Sequence, residues 1–173
     1  MGGPTRPPLT VVIDEVSKIV VVGGRGRNDE GRLVGHASTE LLNPHTLELT
    51  PGPTMGTGRS HAAVARLGKR RALVIGGWAG GTGLKTTEIL DLGRETCAPG
   101  PDLTLGVRCS AAEVALDDKR ILVIGGDGDG EVLKTTEIFD PTSNDFSAGP
   151  EMEEERDNVT AVKIDDRRIL VIG

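Results

Sequence analysis

Apolar and polar positions along the chain fall into short runs closed by Gly, Pro, Asn or Asp, the rhythm of strands and turns. Four runs are continuously apolar and rich in β-branched residues: SKIVVVGG (17–24), RRALVIGG (70–77), KRILVIGG (119–126) and RRILVIG (167–173). Such runs mark strands buried on both faces. Others alternate and end in turn residues, as in STELLNP (38–44), TTEILDL (86–92) and TTEIFDP (135–141). Small apolar stretches of the AAEVAL kind stand before each continuous run.

These runs repeat. Gly23, Gly76, Gly125 and Gly173 close successive apolar runs at a spacing of about 50 residues, and LKTTEI recurs unchanged at 84–89 and 133–138. LTPGPTM (49–55), CAPGPDL (97–103) and FSAGPEM (146–152) align next. RSHAAVARL (59–67), RCSAAEVAL (108–116) and RDNVTAVKI (156–164) then lead into the following glycines. Each unit reads as four strands: a small inner one, a buried one, an alternating one and a weaker outer one before a Gly-Pro turn. Four strands at this period make a β-propeller blade. The pattern predicts an all-β chain of about three and a half four-stranded blades, an incomplete ring. Blades are expected at 9–50, 59–98 and 108–147, with a partial one at 156–173. A lone sandwich would not account for so regular a repeat.

The double glycine after an apolar strand, the Asp-Pro turn after the third strand and the arginine opening the next unit resemble the kelch repeat. The resemblance covers nearly the whole chain. The family usually carries a tyrosine where Leu42, Leu90 and Phe139 stand, and a tryptophan where Leu49, Cys97 and Phe146 stand. Those aromatics wedge blades together, so looser packing is expected here. Kelch rings usually close with more blades than this chain supplies, which implies a fragment. Open ends would expose strand edges and invite self-association.

Glycine, at 25 residues, supports many tight turns, and the net charge of −6 lacks the basic footprint of a non-specific nucleic-acid binder. No run is long enough to span a membrane, and MGGPTRPPLT has no apolar signal core. Residues 1–8, with three prolines and two glycines, read as a disordered lead-in. Two cysteines, Cys97 and Cys109, make neither a disulfide framework nor a metal cluster. A cytoplasmic, reducing location is expected.

Arg59, Arg108 and Arg156 recur where one blade hands over to the next, near the channel mouth. The kelch resemblance implies that arginines at this place grip acidic peptides, and guanidinium forks suit carboxylates. Pairing with the repeated Glu40, Glu88 and Glu137 is the purely architectural alternative. His61 is expected beside them as a packing or capping residue. The loops after the glycine pairs vary while the frame does not, which is where repeat proteins build specificity. Trp78, the only tryptophan, lies in one such loop and reads either as a binding anchor or as a blade-packing residue. Arg25 and Arg27 make the first loop basic. Asp127-Gly-Asp129-Gly-Glu131 lacks the further ligands and helices of a calcium loop and reads as a solvated turn. IVVVGGRGRN lacks the helix that a dinucleotide loop needs. DDKR (117–120) and DDRR (165–168) read as hairpin turns. No catalytic constellation, metal site or cofactor site is expected.

The favoured function is a protein-binding scaffold that recognises a partner protein or acidic peptide through Arg59, Arg108, Arg156, His61, Trp78, Arg25 and Arg27. The alternative is part of a kelch-fold enzyme of the sugar-epimerase kind, with its catalytic residues elsewhere. A galactose-oxidase-like copper site is closed to this chain, which has no tyrosine.

Overall fold

The computed structural model describes the backbone of residues 9–13 and all of 18–116 and 119–173. The proposed lead-in at 1–8 and part of the DDKR turn lie outside these residues. Among the described residues there is no helix, and hence none long and apolar enough to cross a membrane.

The first blade opens with β1 (Leu9–Ile13) and β2 (Lys18–Val22). A side hairpin follows, β3 (Arg25–Arg27) with β4 (Leu33–Gly35), and then β5 (Thr39–Leu42) and β6 (Leu49–Pro51). The second blade holds β7 (Ala63–Leu67), β8 (Arg71–Ile75), a small hairpin of β9 (Trp78–Ala79) and β10 (Thr82–Gly83), β11 (Thr87–Asp91) and β12 (Thr96–Pro99). β13 (Ala112–Ala115), β14 (Ile121–Ile124), β15 (Thr136–Asp140) and β16 (Asp145–Ala148) form the third. β17 (Thr160–Asp165) and β18 (Arg168–Ile172) form a two-stranded fourth. The three full sheets are antiparallel and ordered by sequence, β1-β2-β5-β6, β7-β8-β11-β12 and β13-β14-β15-β16. The chain is therefore an incomplete propeller.

The inner strands stand side by side, β7 between β1 and β13, and β13 between β7 and β17. Only small residues fit where blades converge. Ala62, Ala63 and Ala65 are accordingly buried there, as is Ala112 in the next blade. Blades then meet face to face. Val20, Val22 and Met55 of blade one pack on Val64, Ala72, Val74 and Leu90 of blade two. The other face of blade two offers Ala63, Ala65, Leu73 and Ile75 to Ile121, Val123, Phe139 and Phe146 of blade three. Burying one such side chain is worth about 1.5–3 kcal/mol, so these junctions carry the fold.

The positions where the sequence led to an expectation of looser packing are filled unevenly. In blade three Phe139 and Phe146 are 1% and 3% exposed with ring centroids 5.1 Å apart. In blade two Leu90 is fully buried, whereas in blade one Leu49 is 56% exposed.

Two repeated contacts explain the repeated residues. The second glycine of each pair lies in the left-handed region and donates to the carbonyl of the next blade's arginine. Gly24 reaches Arg59 O at 3.1 Å, Gly77 reaches Arg108 O at 2.9 Å and Gly126 reaches Arg156 O at 2.8 Å. A Cβ on Gly76 would collide with Arg108 O, so the tight approach requires glycine. Thr39, Thr87 and Thr136 each donate to the proline carbonyl of the Gly-Pro turn, at 2.7 Å to Pro53, Pro101 and Pro150.

Candidate functional site

The site is built from three equivalent positions in successive blades. The residue after each glycine pair is Arg25, Trp78 and Asp127. The residue after each linker arginine is Ser60, Cys109 and Asp157, and the next is His61, Ser110 and Asn158. Backbone bonds lock these positions together. Ser60 and Trp78 exchange hydrogen bonds at 3.0 and 2.7 Å, and Cys109 and Asp127 at 2.9 and 2.7 Å. His61, Ser110 and Asn158 all take positive φ, at 55°, 56° and 52°, and Ser110 N donates to His61 O at 2.8 Å. The left-handed residue turns the chain from the linker into the inner strand of the next blade.

Seven side chains from these layers line a cavity of about 280 Å³: Arg25, His61, Trp78, Cys109, Ser110, Asp127 and Asp157. Arg25 sits over Trp78, its guanidinium carbon 5.8 Å from the ring centroid, a cation–π contact between blades one and two. His61 Nδ1 lies 3.0 Å from Ser60 Oγ. Burial pushes the Cys109 thiol up, and Asp127, Asp129 and Asp157 push it further. The mouth is thus split, cationic on the blade-one side and anionic towards blades three and four. A second hollow beside Trp78 is bounded by Thr82, Gly83 and Asp129.

Arg59 and Arg108 are withdrawn from this surface and take the architectural pairing with glutamates that the sequence offered beside a ligand role. They are 1% and 2% exposed. Arg59 donates to Gly76 O at 2.8 Å, Thr86 O at 2.9 Å and Glu88 Oε1 at 2.7 Å. Arg108 repeats the set on Gly125 O at 2.6 Å, Thr135 O at 3.0 Å and Glu137 Oε1 at 3.3 Å. The glutamates also accept from the linker, Glu88 from Gly56 N at 2.6 Å and Glu137 from Thr104 N at 2.7 Å. Each pair therefore clamps the incoming linker to its blade. Among the glutamates named from sequence, Glu88 and Glu137 pair in this way and Glu40 is exposed. Arg156 makes the equivalent glycine contact, to Gly173 O at 2.7 Å, and turns its other nitrogen to Glu154 at 2.7 Å. Arg27, on the same hairpin as Arg25, is exposed and donates to Gly31 O at 2.6 Å.

Asp127 Oδ1 accepts from Gly130 N at 2.9 Å and Asp129 Oδ1 from Gly83 N at 3.2 Å, so the acidic string is a turn that also braces blade two. Among the described residues no three His, Cys, Asp or Glu side chains are grouped to hold a metal ion. Sequence reasoning picked out Arg25, His61 and Trp78 but missed Cys109, Ser110 and Asp157. The signal was available, because these align with Ser60, His61 and each other in the repeat.

Residues 108–153 match the family model described as the Kelch motif. The solved structure of YjhT superposes on 95% of this chain with a TM-score of 0.81 and 17% sequence identity. At that identity the likeness is one of fold. The chain spans 58% of the length of that structure. No curated protein matches it.

Proposed function

We propose that this chain, a kelch-repeat β-propeller segment, is a binding scaffold whose channel mouth seats a segment of a partner protein. The observation that carries the reading is the convergence of Arg25, Trp78 and Asp127, the same repeat position in three blades, around one cavity. A frame that repeats while this position changes from cation to aromatic to anion is how a repeat scaffold sets specificity. Trp78 supplies the anchor, and Arg25 the cation for an acidic residue of the partner. Arg27 adds charge at the rim, His61 shapes the floor, and Asp127 and Asp157 favour a donor at the segment's other end. Arg59 and Arg108 hold the blades that carry these groups. Arg156, partly exposed at the blade-four side, extends the rim.

The reading is tested by panning a displayed peptide library on the protein and measuring the selected peptides against alanine variants. Arg25→Ala and Trp78→Ala are each expected to weaken binding by about tenfold or more, the loss of one hot-spot contact. Undiminished affinity in both variants would remove the mouth as the site.

A further inference from the structure

The two junctions between four-stranded blades are not packed alike. Where blades two and three meet, Ile121, Phe139 and Phe146 of blade three are buried in one cluster with Leu73 and Ile75 of blade two, and Ile89 packs against it. Where blades one and two meet, the equivalent positions of blade two carry Ala72, Leu90 and Cys97, and those of blade one carry Val20, Val22 and Leu41. An alanine thus replaces an isoleucine, a leucine and a cysteine replace two phenylalanines, and two valines replace a leucine and an isoleucine. On the same strand order, the first junction holds less side-chain volume than the second.

A groove of about 410 Å³ opens at that first junction, within the range of about 300–1,000 Å³ of small-molecule sites. Leu41, Pro51 and Pro53 of blade one and Leu92 of blade two supply its apolar part. Leu41 and Leu92 also pack against the junction core, so the groove abuts the underfilled region. Lys18 of blade one and Glu95 of blade two line it as well. Lys18 opens β2, and Glu95 stands at positive φ in the turn between β11 and β12. Opposite charges from two blades therefore bound one apolar space.

We propose that this groove binds a free aromatic amino acid of the phenylalanine type. Two observations select that occupant. The next junction shows that the same frame takes a phenyl ring, that of Phe146, at the position of Cys97. The groove's two charges, of opposite sign, match an α-carboxylate at Lys18 and an α-ammonium at Glu95. The ring lies against Leu41 and Leu92, where it recovers the apolar contact that the smaller side chains leave unmade. The ligand touches both blades, so its binding stabilises their junction. The groove shares no residue with the channel mouth, and the inference is independent of what the mouth binds.

Calorimetric titration of the chain with phenylalanine tests it, with thermal unfolding as the check on folding. Saturable binding and a raised melting temperature are expected. Cys97→Phe fills the groove with the repeat's own residue, while Glu88 keeps its bonds from Gly56, Thr57 and Arg59. That variant is expected to lose phenylalanine binding and to stay folded. Lys18→Glu is expected to weaken binding about five- to tenfold, as is removal of either ligand charge in phenylacetate or phenethylamine. Trp78 emission is expected to stay constant throughout, because Trp78 does not line the groove. Absence of binding to the unsubstituted chain overturns the inference, as does undiminished binding to folded Cys97→Phe. Should Cys97→Phe not fold, undiminished binding to Lys18→Glu overturns it alone. A saturating change in Trp78 emission would move the ligand to the mouth. Equal affinity for N-acetylphenylalaninamide, which carries neither charge, would make the occupant a side chain of a polypeptide; either result overturns the assignment.

Discussion

Arg108 Nη2 lies 3.3 Å from Glu137 Oε1 with both side chains withdrawn from solvent, 1% and 0% exposed. The pair joins three elements at once: the linker that carries Thr104 and Leu105, the strand β15, and the glycine turn at Gly125. Arg108→Ala would leave Glu137 charged and buried beside an empty slot. The expected loss is about 3–5 kcal/mol of stability, read by urea or thermal unfolding. Replacing both, Arg108→Met with Glu137→Leu, is expected to cost much less, because no uncompensated charge stays inside.

Gly76 and Gly68 separate backbone strain from collision. Both hold positive φ, 58° and 72°, but a Cβ on Gly68 meets nothing within 4 Å whereas one on Gly76 meets Arg108 O. Gly68→Ala should cost only the left-handed penalty, about 1–2 kcal/mol. Gly76→Ala should cost distinctly more and should loosen the bond between Gly77 and Arg108, visible as faster amide exchange at Gly77. Equal losses would show that the blade-to-blade approach is not tight.

Glu113 lies on the inner strand β13, opposite Val123, where the equivalent residues are Val64 and Ala161. Burial pushes its carboxyl up to about 7 from an ordinary value of 4.5. A raised carboxyl pKa means that the folded chain holds a proton the unfolded chain has released. Stability from this group is therefore complete below about pH 4.5 and falls as pH rises to about 7, by up to about 3 kcal/mol. Glu113→Gln is expected to remove that slope and to raise the melting temperature most above pH 7. An unchanged slope between pH 5 and 7 would contradict the assignment.

Cys97 donates to Glu88 Oε2 at 3.1 Å, and burial followed by that carboxylate pushes its thiol up to about 12. A thiol held protonated is a poor nucleophile. Alkylation of native Cys97 by iodoacetamide at pH 8 is expected to be far slower than that of the unfolded chain, as peptide mapping would show. Matching rates would mean that the Glu88 contact does not persist in solution.

The repeat made the blades legible from sequence because each buried run, glycine pair and Gly-Pro turn answers to a contact made once per blade. Thr136 on Pro150 and Gly77 under Arg108 are examples. The placement of Arg59 and Arg108 was not legible. A recurring arginine beside a channel satisfies either a ligand or a glutamate, and only the burial of Glu88 and Glu137 decides which. The mouth was half legible. Arg25 and Trp78 stand in variable loops and drew notice as a cation and an aromatic. Cys109, Ser110 and Asp157 line the cavity where Ser110 and Asn158 take positive φ, a backbone feature that their residue types do not announce.

Trp78 is the chain's single tryptophan, so its emission reports on its own surroundings, the cavity it shares with Arg25 and the hollow beside it. Titrating the protein with a library-selected peptide while following that emission tests the binding account most directly. Binding at the mouth predicts a spectral shift and protection from acrylamide quenching, saturating with the peptide and displaced to higher concentration by Arg25→Ala. A peptide that binds with the emission and quenching of Trp78 unchanged, and equally well to Arg25→Ala, would contradict it.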